Sequence, residues 1–172
     1  MHITRPDRTS FSNARPLALL GEEWWTLWEV KVDRAEAAPG DLIGIHAIWG
    51  GVGVVTERRN IRVSLEEIDG DYEAQFDFIL SPDYPSGRWQ PGEALRDQYI
   101  FRLPPALPGG EYTWRLTLLR PDGSPVGEFT PGSSFIVTAP QRSFSAPAGT
   151  KPVDVSLGDI VELSGYMLED HI

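Results

Sequence analysis

Four aromatic residues, Trp24, Trp25, Tyr84 and Trp89, carry flat rings of the kind that stack on sugar faces. Four acidic residues, Glu66, Glu67, Asp77 and Asp97, carry carboxylates that could cleave a glycosidic bond. Stacking needs a ring outside the core. Successive side chains of an extended segment point to opposite faces, so Trp24, Trp25 and Trp28 cannot all face inward, and Trp24 or Trp25 is expected at the surface or at an interface. Trp89, beside Tyr84 in a proline-rich loop, offers a second platform. The competing use of Trp49, Trp89 and Trp114 is to plug the core and its ends, as large aromatics commonly do. Glycoside cleavage needs two carboxylates at a set separation. In a chain with 25 acidic residues some pair always looks suitable, and a solvated strand face is the favoured reading of these four.

Other chemistries find less support. The histidines His2, His46 and His171 are scattered, and His46 lies in an apolar run, where a hydrogen-bonded core or edge imidazole is the simpler role. No Gly-x-Ser-x-Gly nucleophile elbow occurs. Gly50, Gly51 and Gly53 are followed by neither a helix nor the Lys-Ser or Lys-Thr of a phosphate loop. The absence of cysteine removes thiol nucleophiles, disulfides and cysteine-ligated metals. Asp69-Gly70-Asp71 and Asp122-Gly123 are oxygen-rich, as calcium prefers, but hairpin turns explain both without an ion. No catalytic residue, metal or cofactor is therefore assigned, and an enzyme is not expected.

The elements that must position these residues read as strands. Leu95, Tyr99, Phe101 and Leu103 share one face of a run, and Tyr112, Trp114, Leu116 and Leu118 share one face of the next; Pro-Gly and Asp-Gly pairs fence both. Such period-two alternation marks half-buried antiparallel strands. Tyr72, Ala74, Phe76, Phe78 and Leu80 alternate most cleanly, Ile61, Val63 and Leu65 precede them, and Leu42 to Trp49 is apolar at nearly every position. Trp28, Val30 and Val32 are expected to share a face. The pattern predicts an all-β fold: a two-sheet antiparallel β-sandwich, immunoglobulin-like, of seven to nine strands, with no helix.

Residues 1–15 read as a mobile lead-in, 16–138 as the sandwich and 139–152, rich in Pro, Ser and Ala, as a linker. Residues 153–172 look like a strand pair, and two readings stand: the start of a second repeat, or strands completing the one sandwich. An unfinished repeat would allow a homodimer through strand exchange of the tail. The formal charge of −10 repels phosphate backbones and anionic lipid, so neither nucleic acid nor a membrane surface is an expected partner. The basic patch of Arg58, Arg59 and Arg62 is short and reads as a solvated turn. Leu42 to Val55, the longest apolar stretch, is too short to span a bilayer, and Leu17 to Leu20 is too short for a signal sequence.

Several phrases carry a resemblance. Pro39-Gly40-Asp41 stands before a strand ending in Trp49; Trp89-Gln90-Pro91-Gly92-Glu93 follows, with Asp97; Leu103 to Tyr112 reads Leu-Pro-Pro-Ala-Leu-Pro-Gly-Gly-Glu-Tyr. Residues 39–138 thereby resemble β-sandwich accessory modules of bacterial surface proteins and of the C-termini of dolichyl-phosphate-mannose-type membrane glycosyltransferases. The phrase that opens those modules occurs here in the tail, from Leu157 to Tyr166. The resemblance implies a non-catalytic accessory or interaction module of an envelope-associated or extracellular bacterial protein, with another protein domain or a glycan as partner. The alternative is a carbohydrate-binding module using Trp24, Trp25, Tyr84 and Trp89.

Overall fold

Segments with apolar side chains at every second position become strands, and Gly and Pro punctuation ends them. The computed structural model of the chain describes residues 15–21, 25–53, 56–139, 150–157 and 161–166. The chain divides into two units, residues 1–139 and 140–172. The described residues of the first form ten strands: β1 (Ala18–Leu20), β2 (Trp25–Val32), β3 (Glu36–Ala37), β4 (Leu42–Gly51), β5 (Asn60–Glu67), β6 (Glu73–Ile79), β7 (Ala94–Arg102), β8 (Gly110–Leu119), β9 (Pro125–Phe129) and β10 (Ser134–Val137). The only helical piece among them is the 3₁₀ turn Ser86–Arg88. The second unit contains β11 (Lys151–Leu157) and β12 (Val161–Tyr166), which pair antiparallel as a sheet of their own.

The fold is all-β. In the first unit one sheet has the order β1-β2-β4-β7 and the other β3-β10-β8-β5-β6, with β9 also bonded to β8. Apolar inner positions of both sheets bury each other. Ile43, Ile45, Ala47 and Trp49 of β4, and Ile61, Val63 and Leu65 of β5, are fully buried. Across the interior Phe76 of β6 stacks on Phe101 of β7 at 4.2 Å between ring centroids, and Trp114 of β8 meets both Phe101 (5.7 Å) and Phe135 (4.9 Å). Each such side chain contributes about 1.5–3 kcal/mol by leaving water, which lets a unit of this size hold together without disulfides.

Two expectations need correction. The first unit has ten strands rather than seven to nine, and one pairing is parallel, between β3 and β10. After β2 the chain crosses to the other sheet: the Ile136 N–H donates to the Ala35 carbonyl and the Thr138 N–H to the Ala37 carbonyl, each at 2.9 Å. A two-residue strand has no periodicity to read. The second correction is Trp28. A bulge in β2 between Leu27 and Glu29 shifts the alternation, so Trp28 does not share a face with Val30 and Val32, which pack on the core.

Candidate functional site

Of the four aromatic candidates, Trp24 lies outside the described residues. The other three come together, but inside. Trp25 is 1% and Trp89 2% exposed, and their rings meet edge to face at 5.3 Å. Trp89 Nε1 donates to the Tyr84 carbonyl at 2.9 Å, while the half-buried Tyr84 donates its hydroxyl to the Arg88 carbonyl at 2.8 Å and lies 3.2 Å from Glu93 Oε2. The Arg59 guanidinium covers Trp25 at 5.9 Å. Trp25 and Trp89 are thus core aromatics holding the 81–92 loop, not platforms: a ring with so little free face cannot stack on a sugar. The inward parity of Trp25 follows from its antiparallel register with Gly51 and Leu20.

The four carboxylates are dispersed. Glu66 pairs with Arg115 at 2.6 Å and Asp77 accepts from Nε and Nη2 of the Arg62 fork at 2.8 and 2.9 Å, all on the outer face of the second sheet. In register Glu66 faces Glu73 and Asp77 faces Arg62, four residues apart, or about 13 Å along the strand. That exceeds the roughly 5–9.5 Å used by glycosidases. Glu67 folds over the turn at Gly70. Asp97 points into the interior from β7, where its Oδ2 accepts the Ser81 N–H at 2.7 Å and the Tyr99 hydroxyl at 3.2 Å; Tyr99 in turn accepts Trp49 Nε1 at 2.8 Å. Ser81 holds a left-handed backbone (φ 46°) that is uncommon outside glycine. Burial pushes the Asp97 carboxyl above its ordinary value, partly opposed by these donors. The Tyr99 phenol is pushed well up, first by burial and then by Asp97. The relay therefore clamps a loop to the core, with the half-buried Asp97 carboxylate already engaged by Ser81 and Tyr99.

His46 sits on the outer face of β4, its Nε2 3.4 Å from the Gln98 amide nitrogen. At the Asp122 turn the carboxylate accepts both the N–H and the hydroxyl of Ser124, at 2.9 and 2.7 Å. Among the described residues no three His, Cys, Asp or Glu side chains converge on a metal-sized space.

One outward surface has a form of its own. On the outer face of the first sheet the register stacks three rungs: Lys31–His46–Gln98, then Glu29–Ile48–Arg96, then Thr26–Gly50–Ala94. They span about 13 Å along β4. A depression of about 160 Å³ opens over the first two, lined by Glu29, Lys31, His46, Ile48 and Arg96, with Ile48 nearly sealed at its floor. The β2 bulge lays the half-buried Trp28 over the third rung: a Cβ at Gly50 would lie 2.7 Å from Trp28 Nε1 and 2.5 Å from Thr26 Oγ1. Only glycine leaves room for that ring. Lys31 pairs with Glu29 at 2.8 Å, and that hydrogen bond, with smaller help from the charges of Lys31 and Arg96, holds Glu29 below its ordinary value against a desolvation that opposes it. Sequence alternation alone missed Trp28, because a bulge depends on the partner strand. Asp97 left a legible trace: it has the parity of Leu95 and Tyr99, which marks an inward carboxylate.

No protein-family profile matches the chain, and no curated protein matches it. Solved structures resemble it in backbone path at low identity. A Niemann-Pick type C2 protein from Japanese carpenter ant is 8% identical, with a TM-score of 0.50 over 73% of this chain and 98% of that one. The C-terminal domain of wzt is 10% identical, with a TM-score of 0.49 over 84% of this chain and 93% of that one. The alkylpurine DNA glycosylase AlkC of Pseudomonas fluorescens, solved with DNA containing an abasic site analog, is 10% identical with a TM-score of 0.45; the match covers 66% of this chain and 30% of that one. The ant protein shares the fold alone, and the other two likenesses are weaker still.

Proposed function

We propose that residues 16–138 are a non-catalytic, immunoglobulin-like β-sandwich that serves as an interaction module of a bacterial envelope protein. Read as immunoglobulin strands, β2, β4 and β7 take the places of A, B and E, and β5, β8 and β10 those of C, F and G, with β6 beside C. Tyr112, at the start of β8, donates its hydroxyl to the Pro108 carbonyl at 2.9 Å, the backward bond of a tyrosine corner. The envelope placement rests on the resemblance of residues 39–138 to modules of surface proteins.

The observation that carries the non-catalytic reading is the commitment of the carboxylates. Glu66 and Asp77 are held by arginines, and Asp97 is held by Ser81 and Tyr99 in the interior. Glu73 and Glu128 also lie near Glu66, but Arg115 already holds the Glu66 carboxylate and reaches Glu128. The test is turnover of a panel of chromogenic glycosides and esters by the full chain. Activity lost on Asp97→Asn or Glu66→Gln would sink the reading; its absence from the whole panel is the expected result.

A second reading, a carbohydrate-binding module, is favoured by one specific observation: the bulged Trp28 beside a polar-rimmed depression on the first sheet. It transfers the aromatic role from Trp25 and Trp89 to Trp28.

A further inference from the structure

We propose that the outer face of the first sheet binds an acidic saccharide, one whose ring carries a carboxylate, with Arg96 as the partner of that charge and Trp28 as the stacking surface. The inference rests on the carbohydrate-binding reading of this face and adds the ligand's charge class.

Charge distribution points to an anion. The chain carries −10 overall, yet the outer face of this sheet holds Lys31, Arg96 and Arg102 against Glu29 and against Asp33, which lies over Gly44 and is paired with Arg34. The face is thus a local positive region on an acidic molecule, and such a field steers anions to itself. The cations differ in commitment. Lys31 is taken by Glu29 at 2.8 Å, and Arg102 reaches the Gly40 carbonyl. Arg96 lines the depression and acts on Glu29 only through its charge, which leaves its planar fork available for a carboxylate.

Shape points to a sugar rather than an acidic peptide. An extended peptide is normally captured at a sheet edge, where backbone groups are unpaired. The depression is centred on β4, whose backbone is bonded on both sides by β2 and β7, although β7, which carries Arg96, is itself the edge of the sheet. What it offers is side chains: an indole, an aliphatic floor, and polar groups of both kinds around them. A pyranose ring has the matching character, with an apolar C–H face and equatorial hydroxyls. Glu29 supplies an acceptor for those hydroxyls and stands across Ile48 from Arg96 in the same rung. A negative charge is therefore favoured on the β7 side and repelled on the β2 side, which orients the ring.

The test titrates the full chain with three probes at matched concentration: oligogalacturonate, a neutral gluco-oligosaccharide and poly-glutamate. Calorimetry and tryptophan emission read binding. The expected result is that oligogalacturonate binds at least about tenfold more tightly than the other two: than the neutral oligosaccharide by one charge-assisted hydrogen bond, and than poly-glutamate by the stacking of the pyranose ring on Trp28. Arg96→Gln should remove that preference, Trp28→Ala should weaken every saccharide, and salt should weaken the acidic one alone. Trp28→Leu, which keeps an apolar side chain but no ring, serves as a second stacking variant if Trp28→Ala loses the fold by circular dichroism, and should weaken every saccharide in the same way. Equal binding of the neutral oligosaccharide, unaffected by Arg96→Gln, overturns the charge assignment and leaves the carbohydrate reading in place. Binding of poly-glutamate as tight as that of oligogalacturonate, with Trp28→Ala silent, overturns the saccharide in favour of an unspecific polyanion surface. If the folded protein binds none of the probes at millimolar concentration, the proposal and the carbohydrate reading fall together, while the non-catalytic reading still stands on its turnover assay.

Discussion

The two sheets of the first unit handle their ionisable groups in opposite ways. Outside the second sheet, Arg62 grips Asp77 with two bonds and Arg115 reaches both Glu66 and Glu128, so each arginine is spent on a carboxylate of the same face. Outside the first sheet, Lys31 alone takes Glu29, and Arg96 faces a depression over Ile48. The inner sides differ too. The first sheet turns a carboxylate, Asp97, into the interior and satisfies it with Ser81 and Tyr99. In the aromatic centre of the second sheet, Trp114 Nε1 is instead buried without a partner. Charge cancelled in place makes a solvated face. Charge left open, beside an aromatic ring and a sealed apolar floor, makes a surface with something to recognise.

The sharpest way to break the contrast is at Asp97. Asp97→Ala strips the acceptor from the Ser81 N–H and the Tyr99 hydroxyl and should cost about 2–3 kcal/mol in urea unfolding. Asp97→Asn keeps an acceptor oxygen and should stay within about 1 kcal/mol of the parent. The two proteins should also differ in pH dependence. Burial raises the folded-state pKa of Asp97 above its unfolded value, so its contribution is complete below the unfolded carboxylate range and is lost as pH rises through the folded pKa. Stability of Asp97→Asn relative to the parent should therefore improve as pH rises across that window. A relative stability that instead worsened would mean that the carboxylate is favoured in its charged form.

Next in size is Gly50. Valine there drives branched carbons into Thr26 Oγ1 and Trp28 Nε1 and should cost about 1–3 kcal/mol as an overpacked site. Thr117→Val, an outward position on the second sheet, should move stability by less than about 0.5 kcal/mol. Equal effects at the two would mean that Trp28 yields freely and the third rung is no fixed surface. Smaller again is a pair of arginines. Arg96→Gln should be neutral within about 0.5 kcal/mol. Arg115→Gln should cost up to about 1 kcal/mol, since Glu66 then faces Glu73 directly across the strands with its counter-charge gone.

What could be read in advance follows from locality. Alternation in 72–80, 95–103 and 112–118 survives without interruption, so parity along the strand places Phe76, Tyr99, Phe101 and Trp114 on inner faces as a purely local property. The same rule, carried across residue 28, misplaces Trp28, because whether a strand bulges is decided by the backbone opposite, here β4. It misses β3 for a related reason: its two residues are a strand only because β10, a hundred residues on, lies beside them. Trp25 and Trp89 depart from the platform expectation for another reason. A tryptophan in a proline-rich loop resembles an exposed platform until the loop folds inward, as that of Trp89 does through its bond to the Tyr84 carbonyl. Loop direction is a tertiary property, and no spacing encodes it.

The smallest effect tests the other half of the comparison. Arg62 and Asp77 form a two-bond pair across β5 and β6, and the hydrogen bond from Arg62 is the main cause that holds Asp77 below its ordinary value. Both side chains keep about a third or more of their surface in water, so solvent screens much of the attraction. A double-mutant cycle of Arg62→Ala and Asp77→Ala should return about 0.2–1 kcal/mol of coupling at pH 7, shrinking in molar salt. Its pH dependence has the opposite sign from that of Asp97: a carboxylate with a depressed folded pKa contributes above its unfolded value and loses the contribution as pH falls through the folded one. The coupling should therefore vanish under acid, whereas the Asp97 contribution is complete there and is lost as pH rises. Coupling that survived both acid and molar salt would mean that the second sheet's outer face is held by something other than paired charge, and the contrast between the sheets would lose its physical basis.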